Sequence, residues 1–118
     1  MKGVAGRTVA RLMADLPEIG TYNGKAIAKL VGLAPMANDS GKRTGQRRTG
    51  GGRAPVRSIL FLVARGAARF HEGLRNFHLR LSKAGKPLMV IRIALARKLL
   101  VILNAKARDA RAKWAIAT

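Results

Sequence analysis

Apolar residues recur at helical spacing in two segments near the start of the chain. The recurring positions are Val9, Leu12, Met13 and Leu16 in the first segment and Ile27, Leu30 and Val31 in the second. This spacing predicts helices over about residues 4–16 and 23–31. Pro17 ends the first helix, because its ring cannot continue the hydrogen-bond ladder. Asn23 is suited to capping the start of the second helix, and Gly32 to ending it.

After a long interruption, the same spacing returns and predicts helices over about residues 55–70 and 73–84, and a last helix from 87 to about 108 or beyond. Pro55 suits the first turn of the first of these. The expected inward stripes are Val56, Ile59, Leu60, Val63 and Ala67 (widened by Phe61 and Leu62), then Leu74, Phe77, His78 and Leu81, and finally Leu88, Ile91, Leu95, Leu99 and Ile102. No strand pattern is present, so residues 1–118 are predicted to form one all-α domain of about five helices, with a frayed tail at 109–118.

The interruption, at residues 33–54, is the most distinctive segment of the chain. Between Gly32 and Arg57, both included, the sequence has six glycines, two prolines and six basic residues. A loop of this length inside a compact chain is usually functional or disordered. Glycines let the backbone approach a ligand closely, and arginines supply planar donors that match phosphate oxygens. The composition therefore predicts a long, phosphate-facing loop.

The charge balance of the whole chain indicates a polyanionic partner. Lys and Arg number 24, against 5 Asp and Glu, which gives a formal net charge of +19. A compact protein with this charge repels itself unless a partner neutralises it. Nucleic acid is the first expectation, because Lys and Arg neutralise phosphates and release counterions. A membrane surface is the second.

Other features of the composition restrict compartment and chemistry. The absence of cysteine excludes disulfides and thiolate metal sites. The N-terminal residues lack the apolar run of a signal peptide, and the most apolar stretch, residues 88–103, is shorter than the roughly 20 residues that a bilayer span needs. The five carboxylates are scattered along the sequence, so no metal site is expected in this chain. We expect a cytoplasmic protein.

The connection between the first two helices permits two interpretations. Two helices around Pro17-Glu18-Ile19-Gly20 resemble a helix-hairpin-helix, a module that holds DNA phosphates with its loop amides. Here Glu18 replaces the first glycine of the usual Gly-hydrophobic-Gly centre and places a carboxylate where a phosphate would approach. The alternative is a plain helical corner, and the sequence favours neither.

Ser40 is the sharpest candidate for chemistry. A serine in a glycine-rich loop among arginines can attack a phosphodiester, and the cations can stabilise the charge that develops on phosphorus. The neighbouring cations are Lys42, Arg43, Arg47, Arg48, Arg53 and Arg57. The alternative is a simple turn at Asn-Asp-Ser-Gly, whose residues favour turns. From spacing alone the turn is the better supported interpretation, because no base other than Asp39 is adjacent to Ser40 in sequence.

The order of several segments adds a more specific indication. The segments are Leu16-Pro-Glu-Ile-Gly-Thr, Ile27-Ala-Lys-Leu-Val-Gly-Leu-Ala-Pro35, Asp39-Ser-Gly-Lys, Gly51-Gly-Arg-Ala, Val56-Arg57, Gly85-Lys-Pro and Arg97-Lys-Leu-Leu-Val-Ile-Leu-Asn104. Together they resemble the C-terminal domain of the insertion-sequence transposases of the IS-one-ten group, which are bridge-RNA-guided recombinases. The resemblance covers roughly residues 13–108, and a pattern of many parts is more specific than any single motif.

The resemblance implies roles for particular residues. It implies that Ser40 is the nucleophile that forms a covalent phosphoserine link to DNA, and that Gly51, Gly52 and Arg53 contact nucleic acid. The other cations of the loop would clamp phosphate. The chain departs from the family at Gly50, where relatives often carry a bulky residue, and at Glu72-Gly73, where Asn-Pro is common.

The resemblance also implies partners. Family members carry an N-terminal RuvC-like domain whose four acidic residues bind Mg²⁺, and this chain has no such residues. We therefore expect a truncated or fragmentary copy that is inactive alone and needs DNA, a guide RNA and a RuvC-like domain or protein. The complete protein would be a homo-oligomer in the bacterial or archaeal nucleoid.

The sequence thus predicts the catalytic-serine and nucleic-acid-binding part of a DNA transposase or recombinase. The alternative is a non-catalytic basic nucleic-acid-binding protein, associated with the nucleoid or the ribosome. A membrane-surface amphipathic protein is a third, weaker hypothesis. An upstream reading frame that encodes an acidic RuvC-like domain would favour the transposase.

Overall fold

A computed structural model of the chain describes residues 6–33 and 53–117. Within these residues the chain forms five helices and no strand, which confirms the all-α prediction. The helices are α1 (Gly6–Asp15), α2 (Gly24–Val31), α3 (Ala54–Phe70), α4 (Glu72–Lys83) and α5 (Leu88–Ala117). None of these helices combines the length and the apolar character needed to cross a membrane.

The longest helix, α5, is the centre of the fold. It packs against α2, α3 and α4, while α1 packs on α3. The buried apolar side chains form a single cluster, to which every helix contributes. The largest fully buried apolar side chains are Leu16, Ile27, Val31, Val56, Leu60, Leu74, Leu99 and Leu100. Burial of this cluster is the main force that holds the short helices α1 and α2, because isolated helices of their length are marginal in water.

Local sequence signals account for most of the helix ends. The Asn23 side chain accepts a hydrogen bond from the Ala26 amide at 2.7 Å, which caps the start of α2. Gly32 ends α2 in the left-handed conformation, with φ of +90°. Pro55 lies in the first turn of α3. The three ends were predicted because each depends only on residues within one helical turn.

The sequence predicts one helix end only approximately, near Arg108 or beyond. α5 continues to Ala117 as regular helix. Its last turns are held by contacts with the connection between α1 and α2, which are described below. The structure has helix as far as Ala117, and the fraying of the tail stays a prediction.

Two side chains that were expected to point inward are exposed. Leu88 is 59% exposed and Leu62 is 70% exposed, although both fit the periodic stripe of their helix. The buried stripe of α5 starts one turn later than predicted, at Ile91. Periodicity identifies a helix face, but the length over which that face is covered depends on where the neighbouring helices end.

Candidate nucleic-acid interface

The connection between α1 and α2, residues 16–23, is a tight corner whose amides are used inside the protein. The Ile19 amide donates to the Leu16 carbonyl at 3.1 Å, and the Thr21 amide donates to the Glu18 carbonyl at 2.9 Å. The Gly20 amide donates to Oδ1 of Asn104 at 2.7 Å. The three amides at the centre of the corner are therefore satisfied without a ligand.

Asn104 of α5, 84 residues after Gly20 in the sequence, is hydrogen-bonded to this corner. It is buried to 1% exposure, and no other polar side chain of the described residues is buried. While Oδ1 accepts from Gly20, Nδ2 donates to the Tyr22 carbonyl at 2.8 Å. A buried amide side chain is tolerated when its donor and acceptor are both paired, as they are here.

Gly20 is required at this corner for two independent reasons. Its φ is +87°, a conformation that residues with a Cβ rarely adopt. A Cβ at this position would also lie 2.9 Å from the carbonyl carbon and from the Cβ of Ala107. The glycine therefore permits both the turn and the close approach of α5.

Two arginines of α5 complete the contact with the corner. Arg111 donates from Nε to the Ile19 carbonyl and from Nη2 to the Pro17 carbonyl, both at 2.9 Å. Arg108 donates from Nη2 to the Tyr22 carbonyl at 3.1 Å. Both residues are exposed, yet each donates to the corner. The carbonyls of the corner anchor them and hold the last turns of α5 in place.

The corner geometry favours one of the two interpretations of this segment. A helix-hairpin-helix binds a phosphate with amides that point out of the hairpin. Here the amides of Ile19, Gly20 and Thr21 each have an acceptor within the chain. The described residues therefore resemble a helical corner that α5 covers, and the phosphate-binding function of the corner stays unsupported.

Arg53, just before α3, forms a two-bond ion pair with the corner. Its Nη1 and Nη2 atoms donate to Oε1 and Oε2 of Glu18 at 2.7 Å and 2.8 Å, and Nη1 also lies 3.4 Å from the Asp15 carbonyl. Parallel bonds of this kind are the strongest geometry for an arginine and a carboxylate. The bonds from Arg53 hold the pKa of Glu18 below its ordinary value, and the bonds to Glu18 raise the pKa of Arg53.

Arg57, on the first turn of α3, is bonded to the end of α2. Its Nη1 atom donates to the Val31 carbonyl at 3.0 Å. The last carbonyls of a helix lack partners within the helix, and they attract cations. Arg57 therefore ties the start of α3 to the end of α2. Leu33, which follows α2, is buried to 2% exposure.

Arg53 and Arg57 lie at the C-terminal end of residues 33–54, the segment that the sequence predicts to be functional, and just after it. Seven predicted site residues fall outside the residues that the structure describes, namely Ser40, Lys42, Arg43, Arg47, Arg48, Gly51 and Gly52. Among the predicted site residues, the structure places only Arg53 and Arg57. The described residues stop at Leu33, just after α2, and resume at Arg53. Arg53 and Arg57 are both bonded to acceptors within the protein.

The carboxylates do not combine into a metal site. Among residues 6–33 and 53–117, no group of three or more His, Asp or Glu side chains is placed so that it could hold a metal ion. Asp15 pairs with Arg11 at 3.6 Å, and Glu18 pairs with Arg53. The resemblance places the Mg²⁺ site in a separate RuvC-like domain. The described residues of this chain do not form such a site.

Comparison with protein families decides the family of the chain. A family described as "Transposase IS116/IS110/IS902 family" matches residues 1–79, which is more than half of the sequence. The chain belongs to this transposase family. The resemblance proposed from the sequence motifs is thereby confirmed. No curated protein and no solved structure shows a significant match to the chain.

The part of the chain that matches the transposase family ends within α4. The match includes the whole segment between α2 and α3 and the corner, but it does not include α5. Asn104, which holds the corner, lies beyond it. Asn104 ends one of the motifs that carry the family resemblance, but its role in holding the corner was not predicted. A single amide on an otherwise apolar helix face was the available signal.

Proposed function

We propose that this chain is the nucleic-acid-binding and catalytic-serine part of an IS110-group DNA transposase. The observation that carries the proposal is the family match, because it spans the whole segment in which Ser40 lies. The high positive charge supports nucleic acid as the substrate. In this proposal the protein acts on DNA in the bacterial or archaeal nucleoid, with a guide RNA.

In the proposed reaction, Ser40 Oγ attacks a phosphodiester of DNA. A bond forms between Oγ and phosphorus, and the bond from phosphorus to one sugar oxygen breaks. The serine proton passes to a base, and the leaving sugar oxygen takes up a proton, so the net result is a phosphoserine link and a free sugar hydroxyl. A serine hydroxyl needs an activating base, because it is a weak nucleophile at its ordinary pKa.

The cations of the proposed site have two functions, binding phosphate and positioning the segment. Lys42, Arg43, Arg47 and Arg48 are assigned to the phosphate, with the backbone of Gly51 and Gly52 allowing close approach. Arg57 uses one of its nitrogens on Val31 and keeps the others for phosphate, whereas Arg53 holds Glu18 with two nitrogens. For direct phosphate contact through these nitrogens, Arg53 would have to leave Glu18. We therefore assign Arg53 chiefly to positioning the end of the segment.

The base and the metal of the reaction are assigned to another domain. The described carboxylates do not form a metal site, and two of them are already paired with arginines. A RuvC-like domain, either part of the same protein or a separate one, is the proposed source. The chain alone is accordingly expected to bind DNA without cleaving it.

The test is a covalent adduct. The chain is mixed with a RuvC-like domain of the same family, its guide RNA, Mg²⁺ and labelled target DNA, and the products are separated on a denaturing gel. We expect a protein–DNA adduct that maps to Ser40 by peptide analysis. Ser40→Ala should abolish the adduct and leave DNA affinity nearly unchanged, because the substitution removes one hydroxyl and no charge.

Two results would count against this proposal. An adduct that persists in Ser40→Ala, or that maps to Tyr22, the only tyrosine of the chain, would overturn the assignment of the nucleophile. Absence of the adduct together with strong, salt-dependent DNA binding would favour a non-catalytic basic nucleic-acid-binding protein instead. The salt measurement is independent of chemistry: for about six neutralised phosphates the log–log slope on duplex DNA should be near −5.

A further inference from the structure

A second group of arginines lines a groove on the face formed by α3, α4 and the start of α5. The groove consists of two neighbouring cavities of about 330 and 400 Å³, which share Arg65 of α3 and Arg92 of α5. Arg69, Arg75 and His78 line the second cavity. Each cavity is within the range of roughly 300–1,000 Å³ that is typical of small-ligand sites.

The charge of this groove is not neutralised by the rest of the described protein. No carboxylate lines either cavity. Arg75 donates from Nη1 to the Arg69 carbonyl at 3.0 Å, which fixes its position between α4 and the end of α3. Within the described ranges, the Arg65, Arg69 and Arg92 guanidinium groups have neither a hydrogen-bond nor an ion-pair partner. We call these three residues the groove arginines.

Apolar side chains are exposed along the same groove. Leu62 and Met89 line the first cavity with 70% and 58% of their surface exposed, and Phe61 lines it beside them. Leu88 lines the second cavity and is 59% exposed. The groove therefore combines unpaired guanidinium groups with apolar and aromatic surface.

We propose that this groove binds a single-stranded segment of nucleic acid, a site separate from the segment that carries Ser40. Unpaired arginines on two walls match the phosphates of one strand, and apolar and aromatic surface together with guanidinium planes can contact unstacked bases. Within a duplex the base faces are stacked and inaccessible to such surface. The cavities are also too small to admit a duplex, whose width is set by two backbones. Single-stranded DNA and RNA share this chemistry.

The groove variant for the test is Arg65→Gln with Arg69→Gln. Both residues are exposed and unpartnered within the described structure, so the change should leave the fold intact, which circular dichroism checks. The matched control is Lys106→Gln with Lys113→Gln. It removes the same charge from exposed positions of α5, and Lys106 is about 21 Å along the helix from Arg92.

The measurement is fluorescence anisotropy of the full chain with a 20-nucleotide oligo(dT), an oligo(U) of the same length and a 20-base-pair duplex, over a range of salt concentrations. For oligo(dT) or oligo(U), the groove variant should bind about tenfold more weakly at 0.1 M salt, with a slope shallower by about 1.4. The control should lose less than about threefold. On the duplex, the two variants should lose affinity equally.

Cross-linking supplies a second measurement that does not depend on a substitution. Ultraviolet irradiation of the wild-type chain with 4-thiouridine-substituted oligo(U) or 5-bromodeoxyuridine-substituted oligo(dT) should attach peptides that contain Phe61 or Met89. Equal losses for the groove variant and the control on the single strands, or cross-links confined to other peptides, would overturn the proposal. Loss of binding to anionic phosphatidylcholine–phosphatidylserine vesicles, with unchanged oligonucleotide affinity, would assign the groove to a membrane surface and would also overturn it.

Discussion

Two sets of arginines carry the same charge in opposite surroundings. We call the first set the docked arginines, which donate to Glu18 or to backbone carbonyls of the corner and of the end of α2: Arg53, Arg57, Arg108 and Arg111. The second set consists of the groove arginines, Arg65, Arg69 and Arg92, which have no such acceptor among the described residues. The docked arginines surround the corner between α1 and α2 and the end of α2. The groove arginines line cavities on the face formed by α3, α4 and α5.

The difference indicates how a very basic chain divides its charge between folding and binding. A guanidinium group that donates to a carboxylate or a carbonyl of the protein stabilises the fold and has fewer donors left for a phosphate. A guanidinium group without an acceptor gains its partners only when a ligand arrives. Position in the sequence does not separate the two sets, because Arg57 and Arg65 lie on the same helix.

The largest expected effect comes from breaking the corner without changing any charge. Asn104→Ala removes the acceptor of the buried Gly20 amide and the donor to the Tyr22 carbonyl. The buried Gly20 amide is left unpaired, which costs about 1–3 kcal/mol, while the Tyr22 carbonyl loses one bond worth about 1 kcal/mol and keeps the bond from Arg108, so the free energy of unfolding should fall by about 3 kcal/mol. Urea unfolding followed by circular dichroism measures it. Oligonucleotide affinity of the folded fraction should stay the same.

A control for this prediction uses the same helix. Ala105→Ser changes an exposed neighbour of Asn104 and should alter the free energy of unfolding by less than about 0.5 kcal/mol. If Asn104→Ala were no more destabilising than Ala105→Ser, the corner would not depend on Asn104 and the Gly20 amide would be available to another ligand.

A smaller effect is expected when one docked arginine is compared with one groove arginine. Arg111→Gln removes two hydrogen bonds to the Pro17 and Ile19 carbonyls and should lower the free energy of unfolding by about 1–2 kcal/mol. Arg69→Gln removes the same charge from an exposed, unpartnered side chain and should change stability by less than about 0.5 kcal/mol. Thermal unfolding of the two variants side by side checks this, and equal shifts in Tm would contradict the division into two sets.

The smallest expected effect concerns pH. The pKa of Glu18 is lowered by its bonds from Arg53. The ion pair therefore contributes stability that is present above the ordinary carboxyl pKa, about 4.3, and is lost as the pH falls through the lower pKa of the folded state. Glu18→Gln removes the contribution at every pH. The two proteins should differ in stability at pH 7 and converge near pH 2, as measured by urea unfolding at each pH.

A pH-independent difference between wild type and Glu18→Gln would show that the ion pair is not the source of the effect. Arg11→Gln serves as the matched control, because it breaks the other ion pair, with Asp15, whose arginine is 69% exposed. Exposed pairs of this kind contribute little, so this variant should be close to wild type at all pH values.

The sequence predicted the parts of the fold that depend on neighbouring residues. Asn23, Gly32 and Pro55 set helix ends through contacts within one turn, and the order of the five helices follows from periodicity. The end of α5 could not be predicted in this way. It is held by Arg111 bonding to Pro17, a residue 94 positions away in the sequence.

The candidate site was predicted unevenly for the same reason. The family was predicted from motifs spread along the chain and confirmed by the family match. Ser40 was a candidate because of its neighbours, but its role as the nucleophile came only from the resemblance. Arg53 was assigned to nucleic acid, but the structure places it on Glu18, which lies 35 residues earlier. The groove was not foreseen, because Arg65 and Arg92 belong to separate helices whose packing brings them together.

The central claim is that an arginine's acceptor, rather than its charge, decides whether it serves the fold or the nucleic acid. The direct test measures urea stability and the salt dependence of oligo(dT) binding in two variants of equal charge. Arg65→Gln with Arg69→Gln should keep wild-type stability and bind with a slope shallower by about 1.4. Arg108→Gln with Arg111→Gln should lose stability and keep the wild-type slope. Equal reductions of the slope in both variants would contradict the claim.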